Sequence, residues 1–330
     1  AASTLFTTRR ERVLCVLLML LFGGLDLIGF PLMRGSLPAL GQHLEWWAGF
    51  AQYSSSSTLM FWVPNHALPA WLGLLLALRH WRTRELAGMA SMLAAAIALW
   101  SPLSAAGLVP FFLAGLNWRR DIGAVLATRA GLPFLALGAL VARYITMDTQ
   151  AIASGWTLAM FPDVRMFVSY YGTFCLLEFG LIAMLLAWLR AFDLAVGVAV
   201  LVLVALPFYH FGGGNDLVMR SSIPALMMLA MASVRPLAGS DRTPARVLLG
   251  LLLAIGALGA AQEPARALLR PRWALTGKTL AQVSLEQHAF GLTKLPSNYV
   301  GHLDQPGLQA LMREPSMVKP YPAESSRARP

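Results

Sequence analysis

From Arg9 to Gln262 the chain is a succession of apolar stretches separated by short connections, and arginines cluster at every second connection. Crossing the hydrocarbon core of a bilayer takes about 20 mostly apolar residues in a helix. Nine segments meet or approach that length, at 13–33, 58–78, 86–101, 105–118, 122–145, 167–189, 192–210, 221–235 and 246–262. Those at 86–101, 105–118 and 221–235 are short, and a tilted half-helix or re-entrant piece is the alternative for each. With 57% hydrophobic and 13% charged residues, a chain of 330 residues has too little polar surface for a water-soluble globule of its size. The expected fold class is therefore all-α: a polytopic transmembrane helical bundle of about nine spans (eight to ten), covering residues 1–262. Residues 263–330 form a mostly irregular extracytoplasmic C-terminal tail, because prolines at 264, 271, 296, 306, 315, 320, 322 and 330 limit helices to short pieces.

The arginines set the orientation. With the N-terminus inside, twelve cations (Arg9, Arg10, Arg12, Arg79, Arg82, Arg84, Arg119, Arg120, Arg190, Arg235, Arg242, Arg246) fall on the inner side, against four (Arg34, Arg143, Arg165, Arg220) outside. Short cytoplasmic loops carry the excess of Lys and Arg, so that placement is favoured. The formal charge of +10 is thereby explained without a nucleic-acid partner. Cys15 and Cys175 lie in apolar runs as small hydrophobes, and no disulfide framework is implied. The chain starts AASTLFTTRRERV, with neither an initiator Met nor the pattern of a signal peptide, which points to a trimmed or partial chain.

Chemistry is expected on the outer side. The first outer segment, His43 to Trp71, mixes Trp46, Trp47, Trp62, Trp71 and Tyr53 with His43, Glu45, Gln52, the serines 54–57, Asn65 and His66. The rings alone suit an interfacial aromatic belt. Hydroxyls, amides and imidazoles packed among them also suit sugar binding, since rings stack on the apolar sugar face while its hydroxyls need donors and acceptors. A divalent cation at His43, Glu45 and His66 matches no helical zinc spacing, and no cofactor is implied.

The second constellation is His210, Gly212, Gly213, Gly214, Asn215, Asp216 and Arg220. Successive glycines allow positive φ, so backbone amides can converge on an anion while Arg220 grips a phosphate. The alternative is a tight interhelical turn in which Asp216 pairs with Arg220. Within the apolar spans sit Asp26, Arg129 and Glu178, each costing about 2.5–3.5 kcal/mol near a helix centre. Arg129 and Glu178 fall at similar depths, giving either a buried pair or, with Asp26, a proton or ion path. In the outer segment 146–166, Asp148 and Asp163 are caps or general bases, and Gly155 with Trp156 suggests an amphipathic piece on the surface.

The strings GLDLIGF at 24–30, EWWAGFAQYSSSSTLMFWVPNHALPAWL at 45–72 and FGGGNDLVMRSSIPALMML at 211–229 resemble a family of uncharacterised bacterial polytopic membrane proteins, whose plan is similar to the GT-C glycosyltransferases. That resemblance implies an inner (cytoplasmic) membrane protein acting on a lipid-phosphate-linked sugar at the outer face, in envelope polysaccharide or glycolipid assembly. Such enzymes carry an acidic residue or pair in the first outer loop, where this chain offers only Glu45. The reading then assigns Glu45, with Asp216 second, as catalytic base. Trp46, Trp47, Tyr53, Asn65, His66, Asn215 and Arg220 are the substrate contacts, and a polyprenyl-phosphate-linked sugar is the partner. The alternative from another class is a transporter, flippase or non-catalytic assembly component using Asp26, Arg129 and Glu178.

Overall fold

The computed structural model describes residues 5–127, 131–146, 149 and 152–269, and these are mostly helical. The tail from 270 onward, Arg129 and Asp148 lie outside the described residues. The helices are α1 (Arg9–Leu21), α2 (Asp26–Arg34), α3 (Ser56–Trp62), α4 (Pro64–Arg79), α5 (Arg84–Trp100), α6 (Pro102–Gly115), α7 (Trp118–Ala127) and α8 (Gly131–Ile145). They continue as α9 (Val164–Cys175), α10 (Leu181–Trp188), α11 (Leu194–Ala205), α12 (Asp216–Ser221), α13 (Ile223–Ala238), α14 (Pro244–Ala260) and α15 (Gln262–Leu269). Two short strands, β1 (Ser154–Trp156) and β2 (Tyr209–Phe211), depart from the all-α expectation.

Four helical stretches are long and apolar enough to cross a membrane: Arg9–Arg34, Val164–Trp188, Asp216–Ala238 and Pro244–Leu269. Pro102–Gly115, Leu135–Ile145 and Leu194–Phe208 are apolar but shorter. The segment expected as a short piece at 221–235 is part of the 23-residue stretch Asp216–Ala238. Its α13 portion is buried on nearly every side, from Ile223 to Met231, and forms the axis of the core. A helix apolar all round belongs in the interior, which is where this one sits.

The interruptions in two of the long stretches, Arg9–Arg34 and Val164–Trp188, meet. The first opens on a capping box in which Thr8 Oγ1 accepts from the Glu11 amide while Glu11 reaches back to the Thr8 amide. It breaks over residues 22–25 between α1 and α2. The freed backbone groups find partners elsewhere: Phe22 O accepts from the Ser56 amide at 2.8 Å, and the Leu25 amide donates to Leu177 O at 3.2 Å. Glycine suits the break, because a Cβ on Gly24 would displace the Glu178 carboxylate. Val164–Trp188 starts on Asp163, whose Oδ1 accepts from the Met166 amide at 2.8 Å. It then passes through a π-helical turn, Leu176–Gly180, that carries Glu178. Such turns are rare and cluster at functional sites.

The connections sort into two ends. At one end Arg10 Nη2 donates to Leu237 O, Arg235 Nη2 to Leu5 O and Arg120 Nη2 to Arg82 O, which gathers the arginine-rich turns. At the other, Asn215 Nδ2 donates to Phe50 O and the Gly41 amide to Gln262 Oε1, which gathers the tryptophan-rich loop, the glycine turn and the end of α14. There β1 and β2 pair antiparallel, Gly155 opposite His210, with the Trp156 and Tyr209 rings 5.5 Å apart edge to face. The surface-lying amphipathic piece expected at Gly155 and Trp156 is thus a ribbon; three-residue strands leave too little alternation for a period-2 signal. The division expected at 262/263 falls inside the stretch Pro244–Leu269.

Candidate functional site

Two polar clusters occupy the end that holds the tryptophan-rich loop. The first is built from carboxyls. Glu45, in that loop, accepts from the Ser55 amide at 2.9 Å and Thr58 Oγ1 at 2.5 Å through Oε1, and from Gln52 Nε2 at 2.9 Å through Oε2. Burial pushes its pKa up, against the opposing pull of His43 and of the Ser55 and Thr58 bonds. A carboxylate shifted upward is a stronger base near neutral pH.

The serine run does not face outward as a sugar surface. Ser54 to Ser57 are buried, Ser55 Oγ caps α3 by accepting from the Thr58 amide, and Ser57 Oγ donates to Ala260 O at 2.5 Å. Trp47 and Tyr53, expected as open platforms for a sugar, are core residues with exposures of 3% and 1%. Tyr53 donates its hydroxyl to Leu203 O and stacks 5.0 Å from Phe174. Trp47 donates its indole N–H to Glu178 Oε1 at 2.7 Å. The loop sequence alone hides this, because an amphipathic ring serves equally at an interface and over a buried acceptor. Trp46 remains half-buried.

Glu178 therefore faces Trp47 and the Asp26 carboxyl; Arg129, the cation expected beside it, lies outside the described residues. Asp26 Oδ1 and Glu178 Oε2 receive no further donor among the described residues. The break at 22–25 and the π turn at 176–180 thus bring two acidic side chains together inside the bundle.

Glu263, which sequence reasoning placed in the tail, completes this end. It takes the His43 ring nitrogen Nδ1 at 2.9 Å, the Trp62 indole N–H at 2.7 Å and Arg266 Nη2 at 2.5 Å, while the Arg266 guanidinium sits 4.8 Å over the Trp62 ring. The hydrogen bond to Glu263 raises the His43 pKa in spite of burial. The signal was available: Pro264 falls in the first turn of α15, where proline is tolerated and need not end a helix.

The second cluster lies at the glycine turn. Gly212 (φ 87°) and Asn215 (φ 55°) are left-handed. Three amides are engaged within the structure: Phe211 N donates to Asn215 Oδ1, Asn215 N to Gly212 O and Gly212 N to Ala153 O. These three amides are therefore not offered to an anion, which leaves those of Gly213 and Gly214 as the ones a nest here would use. Asp216 and Arg220 pair at 2.8 Å, as in the turn alternative.

His66 joins them through space. Its charged neighbours are Arg220 and Asp216, its Nδ1 lies 2.7 Å from Ser101 Oγ, and Asn65 Nδ2 is 3.4 Å from its Nε2. Ser101 and Ser104 bond each other at 2.7 Å, and Ser104 donates to His66 O. His66 thus belongs with Arg220, whereas His43 belongs with Glu263, so the two imidazoles do not converge with Glu45 on one cation.

The junction between the two clusters is filled. Asn215 is fully buried and hydrogen-bonded to Phe50, itself buried against Phe161 and Phe174. A cavity of about 630 Å³ lies instead at the arginine-rich end. No family model, curated protein or solved structure matches the chain. The family expectation accordingly rests on the three sequence strings alone.

Proposed function

We propose that the protein is a multi-pass protein of the bacterial inner membrane, with about nine spans and the N-terminus inside, that handles a lipid-phosphate-linked sugar at the outer face. The observation that carries this reading is the gathering of Arg220 and Asp216 from α12 with His66 and Asn65 from α4, at the end opposite the arginine-rich turns. Arg220 keeps about a fifth of its side chain exposed. A phosphate reaching it competes with Asp216, and the released carboxylate or the His66 imidazole then takes the proton of an acceptor hydroxyl. Glu45, held by three donors and raised by burial, is the second base, reached only when the loop over it moves. The guanidinium stabilises charge growing on the leaving phosphate.

The test is turnover of a polyprenyl-phosphate-linked sugar by protein reconstituted in vesicles, without an ion gradient. Arg220→Ala is expected to lower turnover at least 100-fold while vesicle incorporation is unchanged, the scale seen when one such electrostatic donor is lost. Undiminished turnover in Arg220→Ala refutes the phosphate clamp.

A second reading is favoured by a different observation. The break at 22–25 and the π turn at 176–180 oppose each other and bring Asp26 against Glu178. Broken helices carrying ionisable groups at mid-depth are the usual build of coupled carriers. Gradient-driven uptake that disappears in Glu178→Gln, with no turnover of the lipid-linked sugar, supports the carrier in place of the transferase.

A further inference from the structure

The cavity of about 630 Å³ at the arginine-rich end takes no part in the clusters described above, and its lining has two distinct halves. One is apolar, including Phe6, Trp81, Val196, Met228 and Met231. The other is cationic: Arg190, Arg235 and Arg246 share it with a single carboxylate, Asp193. That carboxylate is engaged already, since Asp193 Oδ1 accepts from the Val196 amide at 2.9 Å as the cap of α11.

The guanidiniums are only partly matched. Arg235 donates to Leu5 O at 3.3 Å, and Arg246 Nη1 donates to Asp241 O at 2.9 Å and pairs with Asp241 Oδ2 at 3.3 Å. Arg246 Nε is buried and has no acceptor among the described residues. Arg190 holds a left-handed backbone (φ 55°), and its side chain meets no hydrogen-bond acceptor among the described residues. A topogenic arginine needs only to stand in water beside the membrane, as the exposed Arg84 does. Arg190 is exposed as well, but it lines the cavity, which Arg84 does not; beside it Arg246 keeps a buried N–H without an acceptor among the described residues, a cost that an anion at this cationic side offsets.

We infer that this cavity is a binding site for an anionic phospholipid of the inner leaflet, its phosphate held by Arg190 and Arg246 and the first part of its chains laid against Phe6, Trp81 and Met231. The size falls within the usual 300–1,000 Å³ range of ligand sites (about that range for drug-sized molecules). Basic pockets between helices on the cytoplasmic side commonly hold lipid headgroups. The inference rests on the membrane reading and its orientation, and not on any chemistry at Arg220.

The shared recognition element is a phosphate ester, and the experiment separates its two sources. Full-length protein in nanodiscs of phosphatidylcholine is titrated with phosphatidylglycerol, with bound lipid counted by native mass spectrometry; inorganic phosphate is titrated in parallel. Phosphatidylglycerol is expected to bind in preference to phosphatidylcholine. Arg190→Gln is expected to weaken it about tenfold, the effect of one lost charge-assisted contact, whereas Arg84→Gln leaves it unchanged. Because Arg246 also holds the turn at Asp241, Arg246→Lys serves as its probe: charge is kept, the forked contact is lost, and a several-fold weakening follows. Equal affinity for the two lipids, or Arg190→Gln behaving as Arg84→Gln, overturns the proposal. Binding of inorganic phosphate that displaces the phospholipid overturns it too, by showing a soluble-anion site. Loss of Arg220-dependent turnover with this lipid preference intact identifies failure of the functional reading alone.

Discussion

Replacing Trp47 by Phe isolates the contact that ties the first loop to the membrane-spanning bundle. The indole N–H donates to Glu178 Oε1 at 2.7 Å, and Glu178 Oε2 has no donor among the described residues apart from the facing Asp26 carboxyl. The phenyl ring still fills most of the space between Gly29, where a Cβ would come within 2.5 Å of the indole, and Phe174, whose ring centre is 6.0 Å away. Two terms add. The lost hydrogen bond lies at the upper end for polar contacts inside membranes, about 1.7 kcal/mol where the average is about 0.6, because its acceptor is a carboxyl with few other donors. The smaller ring leaves a void worth about 1 kcal/mol. The expected destabilisation is therefore about 2.5–3 kcal/mol, read as a shift in reversible unfolding by SDS in mixed micelles. A double-mutant cycle with Glu178→Gln apportions it: about 1.5 kcal/mol of coupling is expected from the hydrogen bond alone. A cost for Trp47→Phe below about 0.5 kcal/mol, within the scatter of neutral surface changes, refutes the assignment of Trp47 as an anchor.

Two further outcomes follow from the geometry. His43 has its pKa raised above its ordinary value of 6.5 by Glu263, so its contribution is fully present below about pH 6.5 and is lost as pH rises through the raised value. Thermal stability of the wild type should accordingly fall, as pH rises above about 6.5, more steeply than that of His43→Gln, and parallel curves contradict the pairing. A Cβ on Gly107 would strike the Ser221 backbone where α6 crosses α12, so Gly107→Ala should cost about 1–3 kcal/mol in the same unfolding assay. Gly88, whose added Cβ meets nothing within 4 Å, is the neutral control, and equal effects at the two positions contradict the close approach.

Much of the architecture is legible because apolar length and arginine placement act locally. Segment ends at Arg34, Asp163, Trp188 and Ala238 fall within a few residues of those read from the sequence. Partner choice is not local, and there the residues mislead. That Trp47, 131 positions from Glu178, donates an N–H to it, and that Asp26 brings a second carboxyl, is recorded nowhere in the residues around Glu178. The serines at 54–57 read as an open polar surface because nothing in their composition records that Glu45 and Ala260 O draw them inward. Three adjacent glycines permit an anion nest and equally permit a closed turn, and nothing in the run itself records that Asn215 accepts from Phe211 N across it. The cavity at the other end has no signature in sequence, since its arginines are already explained by topogenesis.

The β1–β2 ribbon joins Ala153 and Trp156 to the glycine turn, and Asn215 carries that turn on to Phe50. Three connections that are far apart in the chain are thereby latched into one plate across the top of the helices. A plate of this kind lifts or stays as a unit. A substitution that loosens one member, such as Asn215→Ala, accordingly slackens the other two connections with it.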